Sequence, residues 1–251
     1  MAFLFANSPM SSFVSGKVEI VDPQKTGVSS ISSLEVNSTI QSDFIVATGK
    51  GSRMEAKDDP VTWRLGSLSV GKWISRNNFW LHSGSLLFCS DSNTSIVIST
   101  TGSTATFEGK GTVIIEATKN GGFKFIPLEG KGVISSTKGG VKKIIGGRLL
   151  LILGNPSEFG NAYDIDLNLL LRSSRLINSF PDPLSSFPKI GLAIYIQELK
   201  LKGKYNALIG DATSNKNLQM WKFGKNTGVE PPTKQRSESK KGFFKGFFGK
   251  D

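Results

Sequence analysis

Phe79-Trp-Leu-His-Ser-Gly-Ser-Leu-Leu-Phe88, Ser95-Ile-Val-Ile-Ser-Thr100, Thr104-Ala-Thr-Phe107, Gly111-Thr-Val-Ile-Ile-Glu-Ala117 and Gly122-Phe-Lys-Phe-Ile-Pro-Leu128 are short apolar and β-branched runs. Asp91-Ser-Asn, Thr101-Gly, Glu108-Gly-Lys-Gly, Lys119-Asn-Gly-Gly and Glu129-Gly-Lys-Gly lie between them and after them. Strands of this kind, punctuated about every 8–12 residues by Gly, Asn, Asp and Ser, predict an all-β sandwich, barrel or roll. No catalytic constellation is visible in the stretch.

At 251 residues the chain can bury a full hydrophobic core, so one main β domain with appendages is expected. The 38% apolar and 20% charged composition is that of a folded protein, and 28 glycines suit a chain with many turns. A formal charge of +11 favours anionic partners, because a basic field concentrates them. Much of the excess lies beyond Lys222. The single Cys89, in Leu86-Leu-Phe-Cys, excludes an intrachain disulfide or a Cys-based zinc site and reads as a buried structural thiol.

Working outward toward the N-terminus, Val61-Thr-Trp-Arg-Leu65 and Ser67-Leu-Ser-Val70 lead into the central stretch. Before them, Gly16 to Val21, Ser33 to Ile40, Ser42 to Thr48 and Ser52 to Ala56 read as strands, with turns at Asp22-Pro23, Asn37 and Gly49-Lys-Gly51. The apolar patch Ala2-Phe-Leu-Phe-Ala6 is either part of an ordinary first strand or the end of a signal peptide. The second reading is preferred because small and polar residues follow it, and it sets the expectation of a periplasmic or otherwise exported protein, with a cytoplasmic one as the alternative. No apolar run reaches the length of a transmembrane helix.

Several blocks, in order, resemble the FecR domain family. They are Leu34-x-Val36, Asp43-Phe-Ile-x-x-Thr48, Trp80-Leu-His-Ser-Gly-Ser-Leu86, Val97-Ile-Ser-Thr100 with Ala105-Thr-Phe-Glu-Gly-Lys-Gly-Thr112, and Pro127-Leu-Glu-Gly-Lys-Gly-Val133. The resemblance covers about residues 33 to 153. It implies a rolled or solenoid-like periplasmic β domain that relays signals, best known where iron-uptake receptors address sigma-factor regulators. The chain departs from that layout in lacking a transmembrane helix and a helical segment before the β region, so a stand-alone module is expected.

Beyond Ile144 the texture changes. Gly147-Arg-Leu-Leu-Leu-Ile-Leu153 predicts a last apolar strand, closed by Gly154-Asn-Pro156. Asp164 to Phe180 fits a helix, with Asp164 and Asp166 at its start and Arg172 and Arg175 late in it, ended by Pro181 and Pro183. Residues 190 to 202 alternate like a strand yet also fit one helical face. Helix is preferred because Pro188 suits a first turn and Gly203 a C-cap. The expected organisation is thus an N-terminal segment at 1–15, a FecR-like β domain at 16–155, a helical extension of about two helices at 156–223, and a flexible linker with a disordered basic tail at 224–251.

That tail, Lys240-Lys-Gly-Phe-Phe-Lys-Gly-Phe-Phe-Gly-Lys-Asp251, is expected to meet an anionic membrane surface or an acidic partner. In a helix Phe243, Phe244, Phe247 and Phe248 span about 140° at 100° per residue, with Lys245 opposite and Lys240, Lys241 and Lys250 flanking.

Chemical motifs are sparse. Gly66-Ser-Leu-Ser-Val-Gly-Lys72 has phosphate-loop spacing, but Trp73 replaces the magnesium-binding hydroxyl. The Gly-Lys-Gly tripeptides at 49, 109 and 130 read as hairpin or roll corners. His82 is the only histidine, and no Gly-x-Ser-x-Gly accompanies it, so strand packing is its expected role. Ser135-Ser-Thr-Lys138 and Ser186-Phe-Pro-Lys189 spell Ser-x-x-Lys without the motifs that complete such a site. Asp58-Asp59 and Asp164-x-Asp166 are paired carboxylates given turn and capping roles. Trp63, Trp73 and Trp80 fall in strand patterns typical of core, which disfavours nucleic acid. No catalytic, cofactor or metal residues are assigned. The expectation is a non-enzymatic FecR-like binding or signalling module whose partner is an envelope protein or polysaccharide. The alternative is a carbohydrate- or peptidoglycan-active enzyme on a β scaffold, which needs two carboxylates about 5–9 Å apart in a cleft.

Overall fold

The computed structural model describes residues 8–202, 204–209 and 219–223. Eight short strands come first: β1 (Met10–Ser15), β2 (Val18–Val21), β3 (Ile31–Ser33), β4 (Ile45–Thr48), β5 (Arg53–Asp58), β6 (Val61–Leu65), β7 (Val70–Ser75) and β8 (Asn78–Ser83). Three long ones follow, β9 (Ser85–Ser99), β10 (Thr104–Ala117) and β11 (Phe123–Ser136), then β12 (Gly140–Lys143), β13 (Arg148–Leu153) and β14 (Glu158–Asp164). Helices α1 (Leu167–Ser173), α2 (Arg175–Asn178) and α3 (Phe187–Leu201) precede an antiparallel pair, β15 (Tyr205–Ile209) and β16 (Gln219–Phe223).

The first fourteen strands form one sheet that the long strands fold into two layers. Their first-layer halves, Ser85–Ser90 of β9, Thr112–Ala117 of β10 and Phe123–Glu129 of β11, join β6, β5 and β1 on one side and β13 and β14 on the other. The other halves join β8, β7, β4, β2 and β3 on one side and β12 on the other. Rings from both layers meet inside. Trp63 of β6 stacks on Phe79 of β8 at 5.7 Å and meets Trp73 of β7 edge-on at 6.0 Å, all three fully buried. Burial of such rings is the largest favourable contribution a core of this kind receives.

Two Gly-Lys-Gly tripeptides create the bend. Gly109 faces Gly132 and Gly111 faces Gly130 across β10 and β11. All four have φ between +138° and +155°, a region closed to L side chains. A Cβ on any of them would lie 2.2–2.4 Å from a carbonyl oxygen of the facing strand, so only glycine permits this approach. In β9 the same level is occupied by a bulge: Ser90 pairs with Gly111 and Thr94 with Gly109, leaving Asp91-Ser92-Asn93 opposite Lys110 alone. Bulges of this kind re-aim side chains.

A second bulge changes which face each residue takes. In β11 Val113 pairs with Pro127 and Thr112 with Glu129, so Leu128 is the extra residue. Phe123 and Phe125 therefore point into the inner core, as does Ile134 beyond the bulge, whereas Ile126 and Leu128 join an outer cluster. That outer cluster unites Leu87, Ile114, Leu149 and Leu151 of the sheet with Leu167, Leu176, Leu184 and Ile190 of the helical segment. The helices thus cover the outer face of the first layer.

Arg64 anchors this cover. It is 1% exposed, its Nε donates to Glu55 Oε2 at 2.8 Å, and its other nitrogens donate to the carbonyls of Leu176, Ile177 and Asp182. Phe180 lies over its guanidinium at 4.2 Å. On α3, Gln197 does the same work: its Oε1 accepts from Leu167 N at 3.1 Å and its Nε2 donates to Ile165 O at 2.7 Å.

The mainly β fold with a helical extension is as expected, and residues 190 to 202 are helical to Leu201. Several boundaries differ. Thr104–Phe107 and Gly111–Ala117 are one strand, because Glu108-Gly-Lys-Gly bends the chain without ending its pairing. Glu129-Gly-Lys-Gly likewise lies within β11. Residues 34 to 44 are turns and a bridge rather than strand, with Asn37 at φ 65° and Asp43 at φ 68° breaking the extended conformation. Residues 158 to 164 form β14, which pairs with β13, so the predicted helix starts only at Leu167, capped by Asp166 Oδ1 on Leu169 N at 2.9 Å. Ser174, extended at ψ 116°, splits that helix in two. Lys202 at φ 50° takes the left-handed cap expected of Gly203.

Candidate functional site

The strand bend and α3 enclose a cavity of about 650 Å³, within the usual size of small-molecule sites, roughly 300–1,000 Å³. Its basic side comes from Lys110, Lys131, Lys143, Lys189 and Lys200. Lys110 and Lys131 are the central residues of the two Gly-Lys-Gly tripeptides and stand directly opposite one another. Among the described residues Lys110, Lys131, Lys143 and Lys200 form no ion pair. The apolar side is built from Ile144 and Ile145 of the β12–β13 connection and Leu192, Ala193 and Ile196 of α3.

Glu129 and Asp164 are the carboxylates lining the cavity. Burial pushes Glu129 above the ordinary carboxylate range, against the pull of its hydrogen bond from Thr112 and the Lys189 charge. A buried hydroxyl chain leads to it. Thr112 Oγ1 donates to Glu129 Oε1 at 2.8 Å and lies within hydrogen-bond distance of Ser186 Oγ, to which the Cys89 thiol donates at 3.4 Å. Cys89 is buried and holds this structural place, as expected.

The Ser-x-x-Lys at 186–189 sits at the head of α3. Ser186 precedes the first turn, and Lys189 is hydrogen-bonded to Asp91 in the β9 bulge, which also accepts from Ser185 Oγ at 2.5 Å. Those bonds hold Asp91 below its ordinary range, and the bond to Asp91 raises Lys189 above its own. A serine–lysine pair needs a neutral lysine as its base, so Lys189 is set to bind charge rather than to abstract protons.

The other sequence candidates lie elsewhere. His82 is an exposed residue of β8, with its ring 5.3 Å from that of half-buried Trp80, so Trp80 is not core as Trp63 and Trp73 are. Asp58 is buried and raised chiefly by that burial, with Arg76 Nε 3.0 Å from its Oδ1 without the alignment of a hydrogen bond. Residues 66 to 72 run into β7 with no helix after them, as the strand pattern predicts. No group of three metal-ligating side chains occurs among the described residues. None of the described helices is long and apolar enough to cross a membrane. Lys240, Lys241, Phe243, Phe244, Lys245, Phe247, Phe248 and Lys250 lie outside the described residues.

The sequence reading assigned no role to the cavity lysines. The signal for two of them was present in the repeated Glu-Gly-Lys-Gly at 108–111 and 129–132. What was missing was the antiparallel register that puts one repeat against the other.

No protein-family model matches the chain, and no curated protein is similar to it in sequence. Among solved structures, a candidate anti-sigma factor from Parabacteroides distasonis is similar over 72% of this chain and 98% of its own, at 7% identity and a TM-score of 0.38.

Proposed function

We propose that this chain is a non-enzymatic binding or signalling module of the FecR-like kind, and that the cavity beneath α3 is where it takes an anionic ligand. The observation that carries the reading is the convergence on one cavity of Lys110, Lys131, Lys143 and Lys200, which form no ion pair among the described residues, beside Lys189, which Asp91 holds, against two lining carboxylates, one of which burial drives toward its neutral form. Like charges gathered in this way repel unless an anion offsets them, and a partly enclosed site strengthens that attraction. The ordered blocks from Leu34 to Val133 support the family part of the reading.

Thermal unfolding at low ionic strength tests it, with inorganic tripolyphosphate as the probe. The wild-type midpoint should rise with probe concentration, and a Lys110→Gln/Lys131→Gln variant should lose most of that rise. Equal shifts in both proteins, or none in the wild type, would overturn the assignment of the site.

A second reading, hydrolysis of a glycan, is favoured by one observation: the raised Glu129 shares its cavity with Asp164. A carboxyl raised by burial with a second carboxylate in the same site is the pattern of an acid and its counterpart. Yet glycoside cleavage passes through a cationic oxocarbenium-like state, which five surrounding lysines would destabilise. Chromogenic glycosides turned over by the wild type and not by Glu129→Gln would decide for the enzyme.

A further inference from the structure

Helix α3 is apolar on two faces and packs only one of them among the described residues. Ile190 and Gln197 are buried, with Ala193 and Ile194 half-buried beside them against the sheet and α1. Leu192, Tyr195, Ile196 and Leu199, spaced i, i+3, i+4, i+7, remain 59%, 59%, 40% and 60% exposed. An amphipathic surface helix normally turns charges to that side. Here Leu192 and Ile196 line the cavity, and Ile145, 45% exposed, stands across from them.

The basic side and the apolar side therefore belong to one opening. Lysines gather at the strand bend, where Lys110 and Lys131 face each other with Lys189 and Lys143 beside them, while the aliphatic wall follows α3 outward past Ile196 to Leu199. A smaller hollow continues the basic surface through Lys143, Lys142 and Arg148. A purely polar anion would leave the aliphatic wall in water, and a neutral apolar molecule would leave the lysines without a counter-charge. A molecule with an anionic head and an alkyl chain satisfies both.

Resting on the anion-binding reading above, we infer that the ligand is a single-chain anionic amphiphile, its phosphate- or carboxylate-type head among the lysines of the strand bend and its chain along Leu192 and Ile196. Head placement gives orientation and the chain gives affinity, since each methylene removed from water contributes about 0.8 kcal/mol, roughly a fourfold factor.

Calorimetric titration of the full chain with hexyl, octyl and decyl phosphate, each below its micelle concentration, tests this. Inorganic phosphate and decyl maltoside serve as controls. Affinity should rise at least fivefold from each alkyl phosphate to the next. Lys131→Gln should weaken all three alike, whereas Ile196→Asp, at a position 40% exposed, should flatten the dependence on chain length. If phosphate and decyl phosphate bind equally well, the site takes anions but not amphiphiles, and this inference fails while the anion reading stands. Equal binding of decyl maltoside would overturn the anionic head. Absence of binding by every probe would overturn both.

Discussion

Lys110 and Lys131 face each other across β10 and β11, each between two glycines, on the outer side of the sheet where α3 lies. Like charges directly opposite in adjacent strands cost roughly 0.2–1 kcal/mol. Lys131→Gln should therefore raise the stability of the unliganded protein by a few tenths of a kcal/mol, about the low end of that range. Urea unfolding in low and high salt checks this. The gain should shrink in high salt, where the wild-type repulsion is screened, and a variant less stable than the wild type would show that Lys131 already has a partner.

The bend itself rests on glycine. Gly130 holds φ at +138°, and a Cβ there would meet Lys110 O at 2.4 Å. Gly130→Ala should cost well over about 1 kcal/mol, because the backbone conformation and the space are both wrong for alanine. Gly140, also at positive φ but with nothing within 4 Å of an added Cβ, is the control: its alanine variant carries only the conformational penalty and should lose less. Comparable losses at the two positions in denaturant unfolding would contradict the close approach of β10 and β11.

Removing Arg64 should take from Glu55, buried at 3% exposure, its close charge partner, leaving it the Ser12 hydroxyl at 2.7 Å and Lys57 at 3.9 Å, and free the carbonyls that hold α2 to the sheet. Breaking one side of a buried pair typically costs about 3–5 kcal/mol. Arg64→Met should fall in that range and expose the segment around Leu176 to Asp182 to limited proteolysis. The Glu55→Gln/Arg64→Met double variant should recover part of the loss, since no charge is then left buried. A surface-sized effect of Arg64→Met alone would contradict the anchoring role.

Glu129 and Asp58 give the protein a pH dependence of defined sign. Both are raised, chiefly by burial, from ordinary values of 4.5 and 3.8. Above those values the folded state holds more protons than the unfolded state, so stability falls as pH rises from the ordinary values through the raised ones and then levels. Glu129→Gln and Asp58→Asn should each flatten that decline when unfolding midpoints are followed across the acidic range. Asp91, lowered by its bonds to Lys189 and Ser185, has the opposite sign, with stability lost as pH falls through its folded value, but its exposure keeps the contribution small. An unaltered slope in both variants would contradict the burial of these carboxyls.

The strand content was legible because period-two alternation and turn residues are local signals. Trp63 and Trp73 face the core as their strand patterns predict, whereas Trp80, read the same way, is only half-buried because its neighbour Phe79 takes the inward position of β8. α3 was legible only in part: its apolar spacing fits strand and helix alike, and Pro188 in the first turn tipped the reading to the helix that forms. Continuity of β10 and β11 through their glycines was not, since Glu-Gly-Lys-Gly marks a turn as readily as a bend, and only the facing register of the two repeats separates the cases. Residues 158 to 164 hid for a related reason: Phe159 and Tyr163 are too few apolar positions to announce a strand, and pairing with β13 supplies the rest. The cavity depends on segments distant in sequence, the strand bend, the 143–146 connection and α3 among them, so no local pattern could reveal it.

Hydrogen–deuterium exchange with and without decyl phosphate tests the placement of the site most directly. The account predicts slower exchange at 109–111 and 130–132, in the 143–146 connection and along 189–201, with little change in β1 to β6. Protection confined to other parts of the chain would contradict the assignment of the cavity beneath α3 as the binding site.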